Sequence, residues 1–241
     1  MKIFDLESPF MQVMGKVADL MWLNILTLIC CMPIVTAGAA MTALHYSALK
    51  IARNEECYIT KDYFKSFKEN FKQATIIWLF QLFIVLVLVG DFYIIEKAEV
   101  DLGSKMQLLL MVVAIMVLFT SMFIYPVLAK FENSILQTIK NAFFIGVLQF
   151  PKTILMMVLA VAPFVLFIFF EQLTPIVFCF CFSAPAWVSA KLYSKFFKKL
   201  EDKITDGEAA EGEDGESNPE DDERIFKDEL DPALADRNEM N

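Results

Sequence analysis

The chain has 241 residues, of which 57% are hydrophobic and 24 are phenylalanine, and its formal net charge is −9. Soluble domains are usually about 45–50% apolar, and here the excess is concentrated in runs with almost no charge, which excludes a soluble globular domain. Four such runs lie at Thr75–Gly90, Met106–Ala129, Thr153–Phe170 and Pro175–Ala190. They suit a hydrocarbon core roughly 30 Å thick. Because they lack the alternation of barrel strands, they predict an all-α, polytopic helical membrane bundle over residues 1–203.

The first apolar region, residues 17–49, is broken at Pro33. Proline lacks an N–H and clashes with the preceding helical turn. The two halves are predicted to form a tight hairpin, which gives six helices with both chain ends inside. The alternative is one crossing followed by an amphipathic helix, which gives five. Ala37-Gly38-Ala39 resembles a signal-peptidase site, but Asp5 and Glu7 and the strongly basic loop that follows oppose cleavage.

Small side chains after the break predict a close helix contact, since Gly38, Ala39, Ala40 and Ala43 let another helix approach. A substrate passage lined by the broken segment is the alternative. The candidate structural or functional motif comprises Pro33, Thr36, Gly38, Thr42, His45 and Tyr46.

The next segment, DYFKSFKENFKQ at Asp62–Gln73, is basic and amphipathic. It predicts either an interfacial anchor on anionic lipid or a docking surface for a partner. The candidate residues are Phe64, Lys65, Phe67, Lys68, Phe71 and Lys72. A second stretch, Lys130–Lys152, has the same two interpretations.

Lysine and arginine in the loops predict the orientation. They are concentrated in 50–72, 130–152 and 191–203, which are therefore predicted to be cytoplasmic. Residues 204–241 hold fifteen acidic and three basic residues, a net charge of −12, and predict a disordered acidic cytoplasmic tail. Within it, Phe226 and Leu230 in RIFKDEL are a candidate docking motif.

Catalytic chemistry has little support in the sequence. His45 is the only histidine and is expected to make a hydrogen bond between helices. The five cysteines show no metal-binding spacing, and no carboxylate lies near the centre of an apolar run. Asn24 and Gln81 are expected to form hydrogen bonds between helices. We therefore predict no enzyme activity, no catalytic, cofactor or metal residues, and no nucleic-acid partner.

Several blocks resemble the YesL family of bacterial integral membrane proteins of unknown function, over roughly residues 4–200. They are FDLESPFMQVMGKVADLMWLNIL, then CMPIVTAGAAMTALHYSALKIARNEECYITKDYFKSFKENFKQATIIW, then YPVLAKFENSILQTIKNAFF. The resemblance implies a multi-pass protein of the bacterial plasma membrane. Members are often encoded beside sugar-uptake ABC transporters, which implies an accessory role in carbohydrate uptake.

Two functions follow as expectations. The first is a non-enzymatic accessory component of ABC-type carbohydrate uptake, with the lipid bilayer and the permease subunits as partners. The second is a small independent transporter or permease that uses the Pro33–Tyr46 segment.

Overall fold

The computed structural model describes residues 9–97, 103–131 and 133–213, and those residues form helices and no strands. Within these ranges eight α-helices follow one another: α1 (Pro9–Cys31), α2 (Ala37–Arg53), α3 (Ile59–Lys97), α4 (Gly103–Lys130), α5 (Ile135–Leu148), α6 (Phe150–Phe169), α7 (Thr174–Phe180) and α8 (Ser183–Glu213). Short 3-10 turns at Ile34–Thr36 and Glu171–Leu173 join α1 to α2 and α6 to α7. The predicted all-α class is confirmed.

Four helices of the described part are long and apolar enough to cross a membrane: Phe10–Cys31, Ile59–Ile95, Gln107–Lys130 and Phe150–Phe169. A fifth is added if α7 and α8, which meet at a bend of 50°, are one broken span. The six-helix prediction is therefore not confirmed, and the alternative of five agrees with the upper number. The sixth predicted crossing is α2, which is not counted as a span. Its 17 residues are mainly small or polar, and most of them pack against neighbouring helices.

The first two helices form the tight hairpin that the break at Pro33 suggested. Lys16 Nζ lies 2.6 Å from Asn54 Oδ1, so α1 begins beside the loop that precedes α3. The turn lies beside the middle of α3, where Trp78 Nε1 donates to the carbonyl oxygen of Ile34 at 2.8 Å. Helix α2 then returns to the same loop. The hairpin thus extends along only the first half of α3, which is why α2 is not a separate apolar span.

Helix α3 is one continuous element of 39 residues. At 1.5 Å per residue it is about 58 Å long, nearly twice the thickness of a hydrocarbon core. The amphipathic stretch Asp62–Gln73, predicted as a separate segment, is the first part of this helix. Since it is collinear with the apolar part, it cannot lie flat in the membrane surface while Thr75–Gly90 crosses the bilayer.

The second predicted amphipathic stretch, Lys130–Lys152, forms the end of α4, the whole of α5 and the start of α6. A capping box begins α5: the Ser134 side chain accepts from the Gln137 backbone, and the Gln137 side chain accepts from the Ser134 backbone. Pro151 lies in the first turn of α6, where a missing N–H removes no helical hydrogen bond. Helix α5 packs mainly on α4, which leads the chain back into the bundle.

The buried core lies in the half of the bundle that contains α2, the first half of α3, the second half of α4 and α8. Tyr63, Phe123, Tyr193 and Phe197 are its largest fully buried aromatic side chains. The other half exposes large apolar side chains on α3, α4 and α6, as expected of a surface that faces lipid.

The predicted tail boundary at residue 204 does not coincide with the end of a helix, since α8 continues to Glu213. Residues 214–241 lie outside the described residues, and the prediction of a disordered acidic tail stays a prediction there.

Candidate functional site

The six residues of the predicted motif do not form one site. Pro33 opens the turn between α1 and α2, and Thr36 Oγ1 closes it, 2.7 Å from the carbonyl oxygen of Cys30. Thr42 is buried and bonds the carbonyl of Gly38 in its own helix at 3.0 Å. Tyr46 lies beneath the ammonium group of Lys50, which is 5.2 Å from the ring centroid. These residues shape the hairpin.

The small residues of α2 do form the predicted packing face. Ala39, Ala40 and Ala43 are completely buried. A methyl group built on Gly38 would lie 2.5 Å from the carbonyl oxygen of Ala74 and 2.6 Å from Trp78 Cβ. The backbone of α2 therefore touches α3 directly, and Gly38 is the residue that makes this approach possible.

His45, the remaining motif residue, faces a cavity of about 260 Å³ between α2, α3, α4, α6 and α8. Its Nδ1 lies 3.4 Å from the hydroxyl of Tyr193 on α8, which confirms the expected hydrogen bond between helices. Across the cavity, the Tyr125 hydroxyl donates to Gln81 Oε1 at 3.1 Å, and this confirms the same expectation for Gln81. Met41, Met122 and Met156 contribute to a lining that is otherwise largely apolar.

None of the described residues that line this cavity is charged. His45, Gln81 and Tyr125 offer a small number of hydrogen-bonding groups on an apolar wall. Such a site can accommodate an apolar group with one or two polar atoms, but it offers few partners for a molecule that carries many hydroxyl groups.

The basic face of α3, which we define as Lys61, Lys65, Lys68 and Lys72, is the second candidate site. These lysines recur at i, i+4, i+7 and i+11, so they share one side of the helix, and all four are exposed. The opposite side, including Tyr63, Ser66 and Ala74, is buried against α1 and α2.

Aromatic side chains flank this basic face. Phe64 and Phe71 are 38% and 37% exposed. Phe67 is half-buried between them and stacks on Tyr63, with ring centroids 6.4 Å apart. The predicted surface residues are thus brought together, with Phe67 serving as a support for the two exposed rings.

An ion cluster at the same end of the bundle was not predicted. Arg53, at the end of α2, binds both carboxylate oxygens of Glu201 on α8 at 2.7 and 3.1 Å. Lys130 of α4 lies 3.6 Å from the same carboxylate. Desolvation by burial lowers the pKa of Arg53, but the hydrogen bond and charge of Glu201 outweigh it and leave the pKa raised. The cluster joins three helices through residues that are far apart in the sequence. No local sequence pattern therefore indicates it.

Replacing Glu201 by glutamine is expected to destabilise the bundle by about 1–3 kcal/mol, because the side chain of Arg53 is only 13% exposed and would be left with the looser contact to Glu55 at 3.8 Å. Denaturant titration of the purified protein in detergent measures the loss. Glu69→Gln is the matched control. It breaks the pair with Lys65, whose side chain is 63% exposed, and is expected to cost less than about 1 kcal/mol. Equal losses for the two variants would show that burial of Arg53 contributes nothing.

Comparison with known proteins finds a family match over part of the chain. Residues 20–92 match the model of a family described as "Protein of unknown function, DUF624". This is the family of YesL-like bacterial membrane proteins, so the resemblance is confirmed over these residues. The matched segment runs from the middle of α1 through α2 and most of α3, and it includes the basic face of α3. No curated protein and no solved structure matches the chain.

Proposed function

We propose that this membrane protein is a non-enzymatic accessory component of ABC-type carbohydrate uptake that binds the transporter's permease subunits through the basic face of α3. The observation that supports docking is the continuity of α3, which carries the lysines and exposed phenylalanines beyond the apolar half of the same helix. The carbohydrate part of the proposal rests on the resemblance to the YesL family.

The direction of α3 favours a protein partner over a lipid surface. An interfacial helix lies in the membrane plane with its apolar side inserted. In α3 the apolar side of the first half is covered by α1 and α2, with Tyr63 completely buried. The exposed side presents lysines that flank two aromatic rings, and aromatic side chains are frequent at protein interfaces.

The positions of the charged groups also indicate which end of the bundle faces the cytoplasm. The start of α1, the basic face and the ion cluster at Arg53 and Glu201 lie at one end of the bundle. Lysine and arginine are enriched in cytoplasmic loops. We therefore place this end, and with it the chain beyond α8, on the cytoplasmic side of the bacterial plasma membrane.

The cavity beside His45 is the observation that favours the second candidate, a small independent transporter. Its volume is sufficient for a small ligand, but its lining is mainly apolar and uncharged. A sugar that enters it would lose hydration without equivalent hydrogen bonds. Of the predicted Pro33–Tyr46 segment, Met41, Leu44 and His45 line it. The accessory function is therefore preferred.

Co-purification tests the proposed function. The tagged protein is extracted gently from its native membrane, and its partners are identified by mass spectrometry. We expect permease subunits of a sugar ABC transporter in stoichiometric amount, and their loss in the double variant Lys65→Glu/Lys68→Glu because the variant reverses the charge of the basic face. Deletion of the protein is expected to reduce sugar uptake only where that transporter is present.

The control is Lys195→Glu/Lys198→Glu, which makes the same charge change at exposed positions of α8. Recovery of the protein without permease subunits, or equal loss in both double variants, contradicts docking through α3. Unchanged uptake after deletion contradicts the accessory role itself.

A further inference from the structure

In the described part of the chain, no acidic helix or loop covers the basic face of α3. Lys65 contacts Glu69 at 3.9 Å, a pair in which both side chains are more than half exposed. Asp62, the other carboxylate in this part of α3, is bound to Lys50 at 3.2 Å. The four lysines therefore present a net positive, aromatic-flanked strip about 17 Å long.

The part of the chain that follows α8 has the opposite charge. The 28 residues after Glu213 include eleven acidic and three basic side chains, a net charge of −8. Acidic residues are concentrated at Glu220–Glu223 and again in KDELD, residues 227–231. Phe226 lies between these two acidic groups, and Leu230 lies within the second. They are the two residues of the candidate docking motif. They are four residues apart in the sequence.

We infer that residues 214–241 dock on the basic face of α3 of the same chain. Their acidic groups pair with Lys61, Lys65, Lys68 and Lys72, and Phe226 and Leu230 pack on Phe64 and Phe71. The contact deepens the proposed function, because the segment covers the surface that a partner protein would use and must be displaced before the partner binds.

The position of α8 brings residues 214–241 within reach of the basic face. The carboxylate of Glu201 is bound to Arg53, the last residue of α2, and only five residues separate Arg53 from the start of α3. Helix α8 therefore leaves the bundle at the end where the basic face lies. Fully extended, 28 residues reach on the order of 90 Å, far more than the length of the basic face.

Other lysines at this end fit the segment less well. Lys195, Lys198 and Lys199 on α8 are exposed, but of the adjacent aromatic side chains Phe196 is partly buried and Phe197 is completely buried. On α3 the charges and the exposed rings occur together. Charge alone does not distinguish the lysines of α3 from those of α8. The apolar contacts available to Phe226 and Leu230 therefore favour α3.

Carbodiimide cross-linking of the purified full-length protein in neutral detergent tests the contact, because it joins carboxylates directly to adjacent lysine amines. Peptide mapping is expected to show cross-links from residues 214–241 to the lysines of the basic face, with a yield that is independent of dilution and falls at high ionic strength. Lys65→Glu/Lys68→Glu is expected to reduce the yield about fivefold, as the loss of two exposed ion pairs predicts.

Two comparisons make the test specific. Lys195→Glu/Lys198→Glu should leave the yield unchanged, and Phe226→Ala/Leu230→Ala should reduce it without a change of charge. Cross-links mainly to α8, or a yield that falls on dilution, overturn the inference. So does loss of the cross-links in nanodiscs when anionic lipid replaces neutral lipid, since lipid would then cover the face. Because no partner is present, failure here leaves the proposed function to be decided by co-purification.

Discussion

Gly38→Ala is expected to lower the free energy of unfolding by about 3 kcal/mol, at the upper end of the usual cost of overpacking. The added methyl group would meet the carbonyl oxygen of Ala74 at 2.5 Å and Trp78 Cβ at 2.6 Å. Neither atom can move away by a side-chain rotation, so α2 and α3 would have to separate. Unfolding of the purified protein with denaturant in a fixed detergent measures the loss.

Gly15→Ala is the matched control, because a methyl group on this residue of α1 meets nothing within 4 Å. Alanine favours a helix interior over glycine, so this variant is expected to be unchanged or more stable by up to about 1 kcal/mol. If both variants had the same stability, the close contact between α2 and α3 would be wrong.

Asn24→Leu is expected to cost about 3 kcal/mol, because it removes three hydrogen bonds to backbone groups around the bend between α7 and α8. The fully buried Asn24 side chain donates to the carbonyl oxygen of Phe178 at 2.9 Å. Its Oδ1 accepts from the backbone amides of Phe182 and Ser183 at 3.0 and 3.2 Å. Leucine has a similar size but would leave these backbone groups without their partner in an apolar setting.

Hydrogen exchange distinguishes this local effect from general destabilisation. In Asn24→Leu the amides of Phe182 and Ser183 should exchange much faster, while those of α2 change less. Asn70→Leu serves as the comparison, since the hydrogen bonds of Asn70 among the described residues go to Ser66 of its own helix, the carbonyl oxygen lying at 3.0 Å. Unchanged exchange at Phe182 and Ser183 in Asn24→Leu would contradict the role of Asn24 at the bend.

The features that sequence reasoning found depend on local pattern or on rare residue types. Apolar runs without charge identified the membrane helices, and consecutive small residues identified the packing face around Gly38. Asn24 and Gln81 stood out as polar groups in apolar surroundings, where a buried partner is required. Their hydrogen bonds between helices are confirmed.

Other features depend on tertiary contacts or on the absence of a local signal. Arg53 and Glu201 are 148 residues apart, and each alone resembles an ordinary charged residue near a helix end. The continuity of α3 was missed because its composition changes sharply near Thr75. Composition indicates a boundary between environments, but no proline or glycine interrupts the helix between Ile59 and Val89. The hydropathy boundary therefore lies within one helix.

The position of the Gly38 contact along α3 has a mechanical consequence. Trp78 is the midpoint of Ile59–Lys97, so α2 holds this long rod near its centre. The arm on one side carries the lysines, and the arm on the other carries side chains that face lipid. The lysine arm is also bound to the α1–α2 hairpin along its length, since Thr60 accepts from Trp22, Asp62 from Lys50, and the Ala40 carbonyl from Tyr63. That arm and the hairpin therefore form one packed unit, and the arm beyond Trp78 extends past the hairpin turn.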